Sequence, residues 1–328
     1  MAISKKPIKY SYSRLNSYEQ CGWKYKLIYE DKHFFFSDSI ASMFGTLVHY
    51  IEEKIGNCLK DNIPIDYNKL KDDFLHINIP KTSKYDLKGG VFGVDTIKEK
   101  FPKEFFEVDE DGHSYSKRVE EYLNTGIYRL ENYLKANPDL VVQGTELSFE
   151  ISYENDVLTG SIDRVLFNTK TNKYIIEDIK TKAKPFKEED LKQPLQFVFY
   201  TLALSSMLNI KKEDISCRYD LPFCNIRQDV IEKDYVKKGE EEIKNILSGI
   251  ADKTFVPQPS ASCAFCSFSP TNSHQPDGAK KLCPYYSLWV KGGDKKVRDI
   301  AHKWDGIANH EKAIREVYEG QEEFDFEF

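Results

Sequence analysis

Two kinds of hydrophobic spacing alternate along the chain. In residues 40–60, Leu47, Val48, Ile51 and Ile55 recur at near-helical spacing, which predicts a helix. Similar segments predict helices over residues 11–29, 115–136, 188–208, 235–251 and 296–319. Short segments rich in Ile, Val, Phe and Tyr predict strands over residues 143–151, 157–167, 173–181, 214–222 and 227–233. Turn residues separate the first three strands, so we expect an antiparallel meander.

The second and third predicted strands form a hairpin that brings two acids together. The turn Asn168–Asn172 sets the register, and residues that pair across it should have numbers that add to 340 or 341. Asp163 and Asp178 satisfy that condition, so we expect them to face each other. Because side chains alternate along a strand, Lys180 shares the face of Asp178, whereas Glu177 lies on the opposite face.

Two carboxylates that face each other on a half-buried sheet repel unless a cation lies between them. Mg2+ or Mn2+ suits such all-oxygen ligands. Lys180 beside the ion can stabilise a developing negative charge or orient a water. Asp163, Asp178 and Lys180 thus match the needs of metal-assisted phosphodiester hydrolysis. The competing interpretation is a solvent-exposed salt bridge between Asp and Lys on an outer sheet face.

Three further features bear on the choice between a catalytic site and a salt bridge. His49 lies on a predicted helix after Gly45, which permits close approach of the backbone. Glu146 lies on a predicted strand, and Gln196 and Tyr200 are four residues apart on one helix face. Taken singly, a helical His is usually a packed or surface residue, a strand Glu is solvated, and a Gln–Tyr pair is a boundary contact.

These patterns follow one another in a distinctive order. Along the chain they are Gly45-x3-His49, Glu146, Gly160-Ser-Ile-Asp163, Asp178-Ile-Lys180-Thr181 and Gln196-x3-Tyr200. The ordered set resembles the RecB-type branch of the PD-(D/E)XK nucleases and covers residues 11–290. The resemblance implies an α/β fold with a restriction-endonuclease-like core, in which helices flank a mixed central sheet. It also implies a helical insert and a C-terminal cysteine-rich segment.

The resemblance assigns roles to the candidate residues. The implied ligands of Mg2+ or Mn2+ are His49, Asp163, Asp178 and the Ile179 carbonyl. The implied catalytic residues are Lys180, Asp163, Asp178 and Glu146. Gln196 and Tyr200 are implied to position the DNA backbone or the catalytic lysine. Glu177 is an alternative to Asp178 for hydrogen bonding or metal binding, although alternation puts it on the wrong face.

Four of the seven cysteines form a second pattern. Cys263-x2-Cys266 and Cys283 follow the nuclease motifs, whereas Cys21 precedes them. This arrangement resembles the iron–sulfur nucleases of the RecB branch, which include AddB subunits and CRISPR-associated adaptation nucleases. It implies a 4Fe-4S cluster on all four cysteines. The 16-residue gap before Cys283 is long for that group, so zinc stays open as an alternative, with His274 as a candidate ligand.

The chain divides into five predicted segments. They are the N-terminal helices with Cys21 and His49 (1–60), a helical insert or cap (61–142), the nuclease core (143–255), the iron–sulfur segment (256–290), and a C-terminal helix with an acidic tail (291–328). Residues 61–114 mix Pro, Gly, Asp and Lys with short apolar stretches, and for that reason they are assigned to the insert.

The net charge of −6 is concentrated at the C-terminus. The last 18 residues carry seven acids and two bases, so the other 310 carry 45 bases and 46 acids. A nearly neutral body does not argue against DNA, single-stranded or as duplex ends, as the partner. Lys182, Lys184 and Lys187, like a second basic run over residues 280–298, are either a path for phosphates or a solvated face.

The tail Gln321–Phe328 alternates acids with Phe. It resembles the tails by which single-strand-binding proteins recruit replication or recombination partners, and a disordered solubilising tail is the alternative. No apolar run approaches the roughly 20 residues of a membrane helix, and the N-terminus has no signal-peptide core. We therefore expect no membrane partner and a cytoplasmic protein, or one in the host-cell cytoplasm if it is viral.

These observations predict a divalent-metal-dependent DNA nuclease. We expect an exonuclease that processes DNA ends in recombination, repair or replication and carries a structural iron–sulfur cluster. One alternative is a catalytically inactive DNA-binding or scaffold protein with the nuclease fold. Another is a structure-specific or RNA-directed endonuclease, because such a site recognises the phosphodiester and not the base.

Overall fold

The structure, a computed structural model, describes residues 7–33, 39–77, 92–109, 111–192, 194–232 and 234–260, with residues 263, 266–268, 283 and 285. Contacts group residues 1–12 with 38–240 in a first unit, and residues 13–37 with 241–328 in a second unit. The predicted helix over residues 296–319 and the acidic tail lie outside the described residues.

Strands and α-helices occur in a mixed order along the chain. The strands are β1 (Lys9–Ser11), β2 (Leu140–Tyr153), β3 (Asp156–Asn168), β4 (Lys173–Ile179), β5 (Ile215–Leu221) and β6 (Ile226–Asp229). The helices are α1 (Tyr12–Gln20), α2 (Gly22–Tyr25), α3 (Ile40–Lys60), α4 (Tyr67–His76), α5 (Val94–Lys100), α6 (Pro102–Phe106), α7 (Tyr115–Asn124), α8 (Arg129–Ala136), α9 (Leu195–Leu208) and α10 (Tyr235–Ala251). None of the described helices has both the length and the apolar character needed to span a membrane.

Strand β3 organises the sheet of the first unit. β2 pairs with it antiparallel along its whole length, β1 pairs parallel with its start, and β4 pairs antiparallel with its end. β5 lies parallel to β4, and β6 returns antiparallel to β5. This mixed sheet with helices around it confirms the predicted fold class.

The hairpin of β3 and β4 has the predicted register. Arg164 pairs with Glu177, so the numbers of paired residues add to 341. The Ile179 amide donates a hydrogen bond of 2.7 Å to Asp163 Oδ2, just beyond the last ladder pair. The continuing register therefore places Asp163 opposite Asp178, as the sequence predicted.

The helices predicted over residues 40–60 and 235–251 have the predicted limits, but others differ. The segment 11–29 is interrupted at Cys21, whose backbone is extended (φ −170°, ψ 112°). The segment 188–208 becomes an α-helix only at Leu195, because Pro194 has no N–H to donate inside a helix. Strand β1 was not predicted, since three residues are too few to show alternation.

Helix α3 packs closely on β2. The Ser39 hydroxyl caps the helix by accepting a 3.2 Å hydrogen bond from the Ser42 amide. The buried face of α3 joins the main core with residues of the predicted insert, among them Phe74 on α4. A Cβ at Gly56 would lie 2.4 Å from Thr145 Cγ2, so only glycine permits this distance between helix and strand.

A buried ionic network underlies the sheet. The Arg164 side chain is fully buried and donates hydrogen bonds to Glu52 Oε2 (3.1 Å), to Glu177 Oε2 (2.5 Å) and to Asp220 Oδ2. These partners lie on α3, β4 and β5, and Arg164 itself lies on β3. One guanidinium therefore ties together four elements of the first unit.

Further arginines complete the network. Arg218 and Arg227 donate to Glu177 Oε1 over 2.8 Å and 3.0 Å. Burial alone would raise the pKa of Glu177, but Arg164, Arg218 and Arg227 hold it far below its usual range. Glu177 therefore stays ionised while fully buried. Its contribution to stability is complete above the ordinary pKa of glutamate and is lost as the pH falls from there through the lowered pKa.

The described part of the second unit packs aromatic residues around α1 and the chain after α10. Tyr25 stacks on Phe255 with ring centroids 5.9 Å apart, and the Tyr18 hydroxyl donates a 2.6 Å hydrogen bond to the Thr254 carbonyl. Gly22 approaches the backbone of Phe255 so closely that a Cβ would lie 2.8 Å from its carbonyl carbon. These contacts hold Cys21 against residues that lie more than 200 positions later in the chain.

Replacing Arg164 with methionine should strongly destabilise the protein, because Glu52, Glu177 and Asp220 would lose a shared buried partner. Truncating one side of a buried ion pair costs about 3–5 kcal/mol. Urea unfolding of purified R164M should show a loss of that size, or yield no folded protein. The control is K69M, which removes an exposed i,i+4 pair with Asp73 and should cost no more than about 0.5 kcal/mol. A loss for R164M no larger than that of K69M would contradict the role of the network.

Candidate metal centre

Three acids from adjacent strands meet on the sheet face opposite Glu177. Thr145 pairs with Arg164 and Leu147 with Ile162, so Glu146 on β2 lies beside Asp163 on β3. Asp178 on β4 lies on the other side of Asp163. The hairpin register and the pairing of β2 thus place Glu146, Asp163 and Asp178 in a row across three strands.

His49 completes this group from helix α3. Its Nδ1 lies 3.6 Å from Asp163 Oδ2 and 3.7 Å from Glu146 Oε1. Within the part of the chain that the structure describes, these three residues are the set whose ligand atoms all lie within 4.8 Å of one another. One nitrogen and two carboxylate oxygens at that spacing suit a hard divalent cation.

The local backbone at Glu146 is unusual. Its φ of 45° lies in the left-handed region, which non-glycine residues in strands rarely adopt. Such a conformation costs about 1–3 kcal/mol and is found often at functional sites. The Ser161 hydroxyl donates a 3.0 Å hydrogen bond to Glu146 Oε2, which leaves Oε1 directed to His49. Strain and hydrogen bonding together aim this carboxylate at the centre.

The clustered acids and their burial shift the pKa values of His49 and Asp163. Burial lowers the pKa of His49, but Asp163, Glu146 and Asp178 outweigh burial and raise it to about 9. Burial raises the pKa of Asp163 to about 6, and the charge of Asp178 adds to that rise against the opposing effect of His49. Concentrated negative charge is thus the main electrostatic property of the centre.

Asp178 is fully buried and forms an ion pair with Lys180, whose Nζ lies 2.7 Å from Oδ2. This burial excludes the alternative of a solvent-exposed salt bridge. Among the described residues, Asp178 Oδ2 has this ion pair with Lys180, whereas Oδ1 is buried and has no hydrogen-bond partner. A buried carboxylate with one unsatisfied oxygen beside His49 and Asp163 is the arrangement that a divalent cation would complete. The residues present therefore fit Mg2+ or Mn2+.

A hydrogen-bond chain extends from Lys180 to helix α9. Lys180 Nζ donates to Gln196 Oε1 over 3.3 Å, and Gln196 Nε2 donates to the Tyr200 hydroxyl over 2.6 Å. The Phe149 ring packs edge-on against Tyr200 with centroids 6.3 Å apart. Gln196 thus contacts the lysine directly and Tyr200 contacts Gln196, an arrangement that agrees with one of the two roles that the sequence suggested for the pair.

The structure brings together most of the predicted site, with two differences of emphasis. Glu146, expected among the catalytic residues and not among the metal ligands, lies within reach of the same ion as His49 and Asp163. Asp178, expected as a ligand, contacts Lys180 more closely. The Ile179 amide orients Asp163, and no contact defines a role for the Ile179 carbonyl within the described residues.

The lysines after Lys180 are less available than the sequence suggested. Lys184 pairs with Asp111, and Lys187 lies 3.8 Å from Glu189. Lys182 Nζ lies 3.7 Å from the centroid of the Phe186 ring. This run is therefore partly neutralised by its neighbours. The second basic run over residues 280–298, like His274, lies outside the described residues.

The four predicted cluster cysteines line one cavity in the second unit. Cys21, Cys263, Cys266 and Cys283 surround it together with Trp23 and Phe268. The Gln258 amide lies 3.4 Å from Cys21 Sγ, and the Ser260 amide lies 3.3 Å from Cys263 Sγ. Backbone N–H groups directed at sulfur favour thiolates that bind a metal or cluster.

The spacing of the sulfurs bears on the kind of group that would fit. No three of these sulfurs lie within 4.8 Å of one another in the described part of the chain. A zinc ion, with Zn–S bonds of about 2.3 Å, would hold tetrahedral thiolates about 3.8 Å apart. Burial raises the pKa of Cys263 and of Cys266, so both thiols must lose protons before they bind. Once deprotonated, such thiolates are the ligands that both zinc sites and iron–sulfur clusters use.

Comparison with known proteins identifies a nuclease family that is consistent with this acidic centre. The family profile described as the PD-(D/E)XK nuclease superfamily matches residues 9–271. No curated protein matches the chain. A solved structure titled "Crystal structure of SSO0001" is 16% identical and has a TM-score of 0.28, with 78% of this chain and 96% of that chain covered. That likeness is too distant to add to the argument. On its profile match, its mixed sheet and its acidic centre, the chain belongs to the PD-(D/E)XK nuclease superfamily.

Proposed function

We propose that this protein is a divalent-metal-dependent DNA nuclease of the RecB type. The observation that supports this proposal is the convergence of His49, Glu146 and Asp163 beside the buried Asp178–Lys180 pair. A binding or scaffold protein gains nothing from burying like charges next to one another, whereas a metal-dependent hydrolase requires them. We further propose that the enzyme is an exonuclease that acts on DNA ends in recombination, repair or replication.

Each residue of the centre has a distinct proposed role. His49, Glu146, Asp163 and Asp178 would hold Mg2+ or Mn2+, with the Ile179 carbonyl as a further ligand. A bound divalent ion would activate a water and neutralise charge that develops on the phosphoryl oxygens. Lys180 would donate to the same oxygens, since Asp178 and Asp163 outweigh burial and raise its pKa. Gln196 and Tyr200 would hold Lys180 in position.

We also propose a structural 4Fe-4S cluster in the second unit, on Cys21, Cys263, Cys266 and Cys283. The shared cavity and the amide donors directed at two of the sulfurs support it. The cluster would join the chain near α1 to the segment after α10, and so close a loop of more than 200 residues. We propose that the acidic Phe-rich tail recruits replication or recombination proteins.

Substituting the catalytic groups should abolish cleavage while preserving the fold. We expect D163N, D178N and K180M each to lower the rate on end-labelled DNA by about 100-fold or more, because each removes a charge from the reaction centre. Single-stranded and duplex substrates with labels at either end will report polarity. Matched controls are D139N and K170M, which change exposed residues in the turn before β2 and in the β3–β4 hairpin turn. Wild-type rates for all three site variants would refute the assignment.

Divalent metal should bind at His49 even when no DNA is present. Mn2+ at 100 times its dissociation constant should stabilise the protein by about 2.7 kcal/mol, which appears as a rise in melting temperature. H49A should lose that rise, and cleavage by the wild type should stop in EDTA. H76A is the control, because His76 pairs with Asp95 on the protein surface. An equal metal-induced rise in H49A and the wild type would count against this centre.

A 4Fe-4S cluster should give the purified protein a colour. Protein purified without oxygen should be brown, with broad absorption near ~400 nm and about four irons per chain. C21S and C263S should both bleach it and lower the melting temperature, whereas C58S and C224S should not. A colourless protein that holds one zinc ion would contradict the cluster and favour the zinc alternative. A brown protein that is indifferent to C21S would show that another residue, such as His274, is the fourth ligand.

A further inference from the structure

A polar pocket lies on the side of the sheet that carries Glu177, away from the metal centre. It is open, has a volume of about 370 Å3, and is lined by Thr125, Arg129, Asn132, Tyr133, Asn225 and Arg227. The α7–α8 turn and α8 supply one wall, and the β5–β6 hairpin supplies the other. None of these residues belongs to the nuclease centre. We propose that this pocket binds a phosphate group.

The first argument is an excess of positive charge. The buried network beneath the pocket contains four guanidinium groups and three carboxylates. They are Arg129, Arg164, Arg218 and Arg227 against Glu52, Glu177 and Asp220. All three carboxylates are at least 96% buried, and the side chain of Arg129 is 9% exposed. A net charge of one unit next to the pocket favours an anion there.

The second argument is an unmet donor. Nη2 of Arg227 is buried and has no hydrogen-bond partner among the described residues. Its nearest carboxylate oxygen, Asp220 Oδ2, lies 3.6 Å away and already accepts from Arg164. Glu177 Oε1, in turn, accepts from both Arg218 and Arg227. Among the described residues, the carboxylate oxygens nearest to Arg227 already accept from other arginines, and a bound oxyanion would supply a further acceptor.

The lining also indicates which part of a ligand is recognised. The Tyr133 ring is covered by Arg227, whose guanidinium carbon lies 3.9 Å from its centroid, so it offers that face to no base. Thr125, Asn132 and Asn225 supply hydroxyl and amide groups at the exposed rim. The groups that line the pocket are therefore polar and cationic, and Arg227 blocks one face of its aromatic ring. Such a site recognises the phosphate of a nucleotide or of a DNA strand, and not its base.

Asn225 offers a conservative test. Its φ of 51° is left-handed, a conformation that Asp also tolerates, and its Oδ1 accepts a 2.9 Å hydrogen bond from Arg129. N225D therefore keeps the backbone and the hydrogen bond while adding a negative charge that cancels the excess. Asn209 is the matched control, because it is exposed, has a φ of 52°, and does not line the pocket.

Calorimetric titrations of the full chain would use two probes, dAMP and a short oligonucleotide without terminal phosphates, in EDTA at low salt. EDTA keeps metal-dependent binding and cleavage out of the measurement, so failure here leaves the nuclease proposal untouched. We expect N225D to weaken binding at least about tenfold and N209D to leave it unchanged. If N225D weakens the binding of dAMP, the pocket binds a free nucleotide. If it weakens the binding of the oligonucleotide alone, the pocket binds the phosphates of a DNA strand. Binding of neither probe, or equal affinities for N225D and wild type, would overturn the proposal.

Discussion

The position of the nuclease centre depends on one buried guanidinium. Arg164 holds Glu52 of α3, Glu177 of β4 and Asp220 of β5 from its own place on β3. Two of these partners lie next to residues of the nuclease centre in the sequence. Glu52 follows His49 by one helical turn, and Glu177 directly precedes Asp178. A buried charge tolerates little displacement of its partners. Fixing Arg164 therefore also fixes the distances among the residues on the other face.

The alternation of a β-strand separates two opposite electrostatic environments. Asp163 and Arg164 are neighbours on β3, as Asp178 and Glu177 are on β4, yet each pair divides between the two faces. The face with Arg164 has more bases than acids, and the face with Asp163 concentrates acids. A slip of one residue in this hairpin would exchange the two sets. The register is thus a functional constraint as well as a structural one.

Local sequence carried enough information to predict this hairpin and the residues that face each other across it. The turn at Asn168–Asn172 defined its register, and the period of two assigned Asp178 and Glu177 to opposite faces. The left-handed backbone at Glu146 was not predictable, because glutamate rarely adopts that conformation and no turn residue in the strand signals it. The arginine network was missed for a similar reason, since Arg218 and Arg227 meet Glu177 only after β5 and β6 join the sheet.

The conformational strain and the clustered charge of the centre cost free energy, and contacts elsewhere in the first unit offset that cost. Glu146 adopts a costly backbone conformation, and Asp163 and Asp178 repel each other at close range. The apolar contacts of α3, the close approach of Gly56 to Thr145 and the bonds of Arg164 oppose these costs from the other side of the same elements. A site that is unfavourable on its own can persist only where its surroundings are over-determined. In this protein the over-determined part is the buried network, which explains why so many ionic groups lie under a sheet that could have been lined with apolar residues.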